Sequence, residues 1–95
     1  MTAVPVRRQG QVVDRRIAGE RFLVPIRGTL ADLRGIFLLD EVGAFVWDRI
    51  DGRATVEEIG QAVSAEFEVE TGTATADAES FLRELTGHGF VEGIA

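Results

Sequence analysis

The sequence contains no cysteine, no lysine and no tyrosine, and its single histidine is His88. The absence of cysteine excludes disulfides, thiolate nucleophiles and cysteine-based zinc or iron-sulfur sites. A histidine-based metal site or catalytic triad needs partner residues that one histidine lacks. We therefore predict no catalytic residues, no metal site and no cofactor, and we expect His88 to cap a helix or face solvent.

Long apolar runs and phosphate-binding motifs are also missing. No stretch approaches the roughly 20 apolar residues that cross a bilayer, and the N-terminal MTAVPVRRQG has no apolar middle such as a signal peptide has. The glycines form neither GxxxxGK[ST] nor GxGxxG. With 95 residues, 45% of them hydrophobic, the chain is predicted to be one cytoplasmic domain, residues 1–95, without a membrane segment.

Charge is distributed unevenly along the chain. Residues 1–39 carry seven arginines and three acids, whereas residues 40–95 carry three arginines and thirteen acids. These halves either orient a charged partner or are simply two solvated faces. Because residues 54–82 contain no basic side chain, and nucleic-acid binding depends on neutralising phosphates, no nucleic-acid partner is expected.

The first part of the chain has the composition of β-strands. Residues 12–17 and 21–27 are β-rich runs separated by the turn signal Ala18-Gly19, which predicts a hairpin. Residues 35–39 form a third apolar run after a connection bounded by glycines. Three antiparallel strands are predicted. The apolar residues of the second strand share one face by their period of two: Phe22, Val24 and Ile26.

From Asp40 onward the apolar period changes to that of helices, which are predicted over residues 41–51, 55–67 and 74–88. Asp40 is a good N-cap, and Thr55 with Glu58 fits a capping box. Trp47 lies beside the apolar stripe of the first helix and is either core or part of a binding surface. Three strands followed by three helices predict an α+β, winged-helix-like domain.

The run over residues 36–59, IFLLDEVGAFVWDRIDGRATVEEI, resembles the centre of the PqqD family. The family pattern is an apolar strand ending in Leu-Asn, then Gly-Ala, an aliphatic-Trp pair, and an Asp-Gly turn into Thr-aliphatic-Glu-Glu. The resemblance continues into residues 16–24 and 81–91, so that it covers about residues 12–92. One departure is Asp40, where the family usually has asparagine.

The resemblance implies a RiPP recognition element, which is a peptide chaperone without activity of its own. Such proteins bind the leader of a ribosomally made precursor peptide and present it to a radical-SAM or other modifying enzyme, as in pyrroloquinoline quinone biosynthesis. The leader adds a strand to the third strand, in a groove walled by the third helix. Carried onto this sequence, the predicted peptide-binding residues are Arg34, Gly35, Ile36, Phe37, Leu38, Leu39, Asp77, Ala78, Phe81, Glu84, Leu85 and His88.

Other interpretations remain open from the residues alone. The third strand is either a free sheet edge, which is a template for another strand, or a central buried strand. A free edge also fits a protein-protein adaptor or dimerisation module, and a winged-helix shape fits a DNA-binding domain despite the charge. We expect a monomer or a weak homodimer, and the sequence identifies neither the precursor nor the modifying enzyme.

Overall fold

The computed structural model describes residues 6–8, 12–25 and 36–93, and within these it has five strands and three helices. The order along the chain is β1 Arg7–Arg8, β2 Val12–Ile17, β3 Glu20–Pro25, β4 Phe37–Leu39, α1 Glu41–Asp48, α2 Val56–Phe67, α3 Thr71–Gly87 and β5 Val91–Glu92. The antiparallel sheet β2-β3-β4 precedes the three helices, which confirms the predicted α+β class. No helix in these ranges is long and apolar enough to span a bilayer.

The hairpin turn between β2 and β3 sets the register of these two strands. Both turn residues, Ala18 with φ 53° and Gly19 with φ 82°, have the left-handed conformation that a two-residue type I′ turn requires. This turn pairs Ile17 with Glu20, and the ladder continues to pair Val12 with Pro25. The predicted hairpin is confirmed, and its second strand is described up to Pro25, so Ile26 and Arg27 lie outside the described residues.

The face of the sheet that meets the helices is not the one with the most apolar residues. Phe22 and Val24 share a face, as predicted, but Leu23 between them is the fully buried residue of β3. Leu23 pairs with Phe37 of β4, which packs against the core, whereas Phe22 pairs with exposed Leu38. Phe22 and Val24 therefore lie on the outer face, away from the helices.

Helices α1 and α2 begin at the predicted N-cap residues. The Asp40 carboxylate accepts a hydrogen bond from the Gly43 N–H at 2.6 Å, and Thr55 and Glu58 form the predicted capping box. Helix α1 is shorter than predicted because it ends at Asp48 rather than at residue 51. The Asp51 carboxylate instead accepts hydrogen bonds from the two amides that precede Thr55, at 2.8 Å each, which organises a turn into α2.

A second, two-stranded sheet pairs strands from near the two ends of the chain and was not predicted. β1 and β5 are antiparallel, with Arg7 opposite Glu92 and Arg8 opposite Val91. Phe90 and Val91 are buried and belong to the core. Helix α3 begins at Thr71, three residues before the predicted start at 74.

Arginine and aspartate side chains connect the sheet to α1. The Arg21 guanidinium donates hydrogen bonds from Nε to Asp14 at 2.9 Å and from Nη1 to Asp48 at 2.9 Å. These charge-assisted bonds hold the pKa of both carboxyl groups below the ordinary value and raise the pKa of Arg21. Arg8 lies over the Trp47 ring at 4.2 Å and donates to the Trp47 carbonyl oxygen at 2.6 Å. Trp47 is buried, so it belongs to the core.

This network predicts a specific loss of stability in acid. Asp14 and Asp48 have lowered pKa values when folded and ordinary values, near 3.8, when unfolded, so the unfolded chain binds more protons near that pH. The stabilisation is present above about pH 4 and is lost as the pH falls through the folded-state pKa values. Urea unfolding followed by Trp47 fluorescence should show the free energy of unfolding decreasing from about pH 5 to pH 2.5.

The matched variant is Arg21→Gln, which keeps a polar side chain but removes the charge. At neutral pH it is expected to be less stable by about 1–3 kcal/mol, the range for hydrogen bonds to charged groups. Its unfolding free energy should also vary less with pH below 5, because the carboxyl pKa values return towards normal. Equal acid dependence in the two proteins would contradict this role of Arg21.

Candidate functional site at the sheet edge

Strand β4 is the last strand of its sheet. It pairs with β3 through Leu39 opposite Arg21, Leu38 opposite Phe22 and Phe37 opposite Leu23. In the strand order β2-β3-β4, no other strand of the described residues pairs with its second side. An edge strand of this kind presents N–H and C=O groups that can pair with another chain. Of the two arrangements left open by the sequence, the part of the chain that the structure describes therefore shows an edge.

Aromatic rings connect β4 to α3 beside this edge. The Phe37 ring is edge-on to Phe81 at 5.8 Å between centroids and edge-on to His88 at 5.3 Å. His88 also stacks on Phe90 at 5.5 Å. A Cβ atom on Gly43 would lie 3.1 Å from Cζ of Phe81, so the glycine allows this ring to rest against the start of α1. The rings form one wall that extends from the edge strand to α3.

Helix α3 presents two adjacent stripes. Its buried stripe is made of Ala74, Ala78, Leu82 and Leu85. The spacing of four, three and four residues places a second set on one side of the helix, next to that stripe. We call this second set the α3 stripe, and it consists of Asp77, Phe81, Glu84 and His88. Because Phe37 contacts both Phe81 and His88, the α3 stripe faces β4.

The predicted peptide-binding residues therefore fall into three groups. Arg34 and Gly35 lie outside the described residues. Ala78, Leu85 and Leu39 are buried in the core, where their side chains support the edge and the helix from beneath. The accessible or half-buried members of the prediction are brought together along β4 and α3: Ile36, Phe37, Leu38, Asp77, Phe81, Glu84 and His88.

A cleft at the end of β4 was not predicted from the sequence. It has a volume of about 590 Å³ and lies between the tip of the β2-β3 hairpin and the start of α1. Its lining includes Arg16 and Glu20 of the hairpin, Leu38 of β4 and Glu41 of α1. These residues are far apart in sequence, and only the strand register brings them together. Among the described residues, no cluster of histidine or acidic side chains could hold a metal ion.

Comparison with known proteins identifies the family. Residues 27–91 match the family described as coenzyme PQQ synthesis protein D (PqqD). The chain belongs to the PqqD family. The matched residues include all of β4, the three helices and the α3 stripe, so the PqqD-family region contains both sides of the candidate site.

A solved structure agrees with this assignment over almost the whole chain. The PqqD-family chain is similar to the structure "TbiB1 in Complex with the TbiA(beta) Leader Peptide", with 32% sequence identity and a TM-score of 0.75. The alignment covers 94% of this chain and 98% of the TbiB1 chain. A search of curated proteins finds no match. The family and the fold of the PqqD-family chain therefore rest on two independent comparisons.

Proposed function

We propose that this protein is a non-catalytic recognition element that binds the leader segment of a ribosomally synthesised precursor peptide. The leader adds to the free edge of β4 as a further strand, and the α3 stripe contacts one of its faces. The bound leader is then presented to a separate radical-SAM or other modifying enzyme. The observation that carries the proposal is a sheet edge that no other described strand pairs with, beside an accessible aromatic wall, in a protein similar to one solved with a leader peptide.

Strand addition supplies affinity and side-chain contacts supply selectivity. The three residues of β4 offer roughly three backbone hydrogen bonds at about 1 kcal/mol each. Two apolar leader side chains against Phe37 and Phe81 add about 2 kcal/mol each. These contacts sum to about 7 kcal/mol before the several kcal/mol that ordering a flexible peptide costs, so alone they give less than the roughly 8 kcal/mol of a micromolar complex. A tighter complex therefore needs leader residues that make contacts beyond β4 and the aromatic wall.

The chemical groups of the site support binding rather than catalysis. The sequence has no cysteine or tyrosine, and its one histidine has its ring between Phe37 and Phe90. The carboxylates of the α3 stripe, Asp77 and Glu84, are exposed on the surface of the helix, where they can meet the charges of a bound peptide. These residues position a peptide and set its charge preference.

Amide chemical shifts test the proposal directly. The probe is a synthetic leader of the precursor peptide encoded nearest to this gene, with the TbiA(beta) leader as a second probe, titrated into ¹⁵N-labelled protein. We expect shifts in residues 36–39 and along the α3 stripe, because these groups gain new neighbours. A scrambled leader of the same composition is the control. Shifts confined to α2 or to the β1-β5 sheet would contradict the proposal.

The same free edge favours a second function, a dimerisation or adaptor module in which β4 pairs with a copy of itself or with another protein. The exposed apolar side chains Leu38 and Ile17 on the outer face are compatible with that use. Sedimentation over a range of protein concentrations without peptide distinguishes the two. A dimer that leader peptide dissociates would show competition for β4, whereas a dimer unaffected by leader would use another surface.

A further inference from the structure

A row of three side chains crosses the outer face of the sheet, and its apolar end lies on the edge strand β4. Arg15, Phe22 and Leu38 lie side by side across the three strands, because Phe22 pairs with both of the others. Phe22 has a strand on each side and is half-buried, whereas Leu38 has a strand of the described residues on one side and is 53% exposed. The missing contact of Leu38 is therefore on the side where another strand would add.

The residues on either side of Leu38 in β4 are less exposed than Leu38, because they face the helices. Phe37 is half-buried against Phe81 and His88, and Leu39 is 6% exposed. The helices thus cover one face of β4, and no described element covers the other. Successive side chains of an added strand point to opposite faces of the sheet. A bound peptide can therefore contact both the face of β4 that the helices cover and the face that is open.

We infer that Leu38 recognises an apolar leader residue on the outer face, opposite to the α3 stripe. This inference rests on the proposed strand addition. Successive residues of an added strand point to opposite faces, so the residue beside Leu38 lies between two residues that face α3. The leader class that fits has apolar side chains at three consecutive positions. The outer two contact the aromatic wall, and the middle one packs on Leu38 in line with Phe22.

Charge and size further restrict which residue of the leader fits the middle of these three positions. The charged group of the row is Arg15, and Phe22 separates it from Leu38, so an apolar leader residue beside Leu38 would extend the apolar end of the row. A branched or aromatic side chain is the best fit, since such residues pack well across neighbouring strands. A leader with a polar middle residue should still bind through its backbone and through the two residues that face α3.

Selection from a random peptide library tests this inference without the natural leader. The probe is a displayed library of linear peptides of about 12 residues, enough to extend beyond both ends of β4. Selection is run in parallel on the unaltered protein and on Leu38→Thr, which keeps a strand-forming side chain. We expect three consecutive apolar positions from the unaltered protein. With Leu38→Thr, the middle preference should disappear while the flanking two remain.

A double-mutant cycle on one enriched peptide gives the magnitude. Leu38→Thr and replacement of the peptide's middle residue by threonine should each weaken binding about tenfold, and the two together hardly more than either alone. Ile17→Thr is the matched control, because Ile17 is a 61% exposed residue on the same outer face but on β2, away from the edge. It should leave the dissociation constant unchanged.

The outcomes separate this inference from the proposed function. Additive effects of the two threonine substitutions, or enrichment only at alternating positions, would overturn the role of Leu38 while strand addition stands. Enriched peptides whose binding is insensitive to Phe81→Ala would bind elsewhere, and would contradict the proposed function itself. A library that yields no binder competing with the leader would count against both.

Discussion

Phe81→Ala is expected to weaken binding of the leader peptide by about 30-fold or more, the size of effect typical of a central aromatic contact in an interface. The ring lies between β4 and α1, at 5.8 Å from the Phe37 ring and against the bare backbone of Gly43. Its removal shortens the wall that receives the leader and leaves the Phe37 ring without one of its two partners. Isothermal titration calorimetry with the synthetic leader measures the change.

The control for Phe81→Ala must lose a comparable ring elsewhere. Phe67 of α2 is also half-buried and edge-on to another aromatic ring, that of Phe45 at 5.3 Å, so Phe67→Ala removes the same kind of contact. Each variant should be destabilised by about 2 kcal/mol, somewhat less than for a fully buried phenylalanine. Only Phe81→Ala should alter the dissociation constant. Equal losses of affinity would mean that stability, not contact, determines binding.

Local signals in the sequence were sufficient for much of the fold. The caps at Asp40 and Thr55 and the turn at Ala18-Gly19 are each decided by a few adjacent residues, and all three are confirmed. The change of apolar period after residue 39 located the helices. Their ends were less predictable: α1 stops early because the Asp51 carboxylate, three residues after Asp48, bonds to backbone amides beyond it.

The side of the sheet that meets the core could not be read from hydrophobicity. The core side of the hairpin carries Asp14 and Arg21 beside Leu23, because the Arg21 guanidinium donates hydrogen bonds both to Asp14 and to Asp48 of α1. The outer side carries the apolar residues Phe22 and Val24, which a period-two pattern alone would assign to the core. The pairing of β1 with β5 was equally hidden, since two-residue strands from opposite ends of the chain leave no periodic signal.

The candidate site, like the fold, could be predicted from the sequence only in part. The resemblance to the PqqD family selected β4 and α3, and helical spacing alone places Phe81 on one side of α3 with His88. Which of the selected residues are accessible depends on packing: Ala78 and Leu85 are only about 60° and about 40° around the helix from Phe81, yet they are buried. The exposure of Leu38 follows from the register of β4 against β3, which composition does not show.

The position of α3, and with it the groove, depends on a close approach between α2 and α3. A Cβ atom on Gly60 would lie 2.3 Å from Oγ1 of Thr75 and 2.7 Å from its Cα, and the second atom is backbone that cannot rotate away. Gly60→Ala is therefore expected to lower the free energy of unfolding by about 1–3 kcal/mol through overpacking. This loss appears although alanine is intrinsically a better helix former by about 1 kcal/mol.

Gly87→Ala is the matched control, because it makes the same substitution in the last turn of α3 where a Cβ would meet nothing within 4 Å. That variant should be as stable as the unaltered protein or more so by up to about 1 kcal/mol. Gly60→Ala pushes α3 away from α2, so it should also shift the ring resonances of Phe81 and weaken leader binding, although Gly60 lies outside the groove. If both variants unfold at the same urea concentration, Thr75 has room to move. The packing of α2 against α3 then does not determine the position of α3 beside β4.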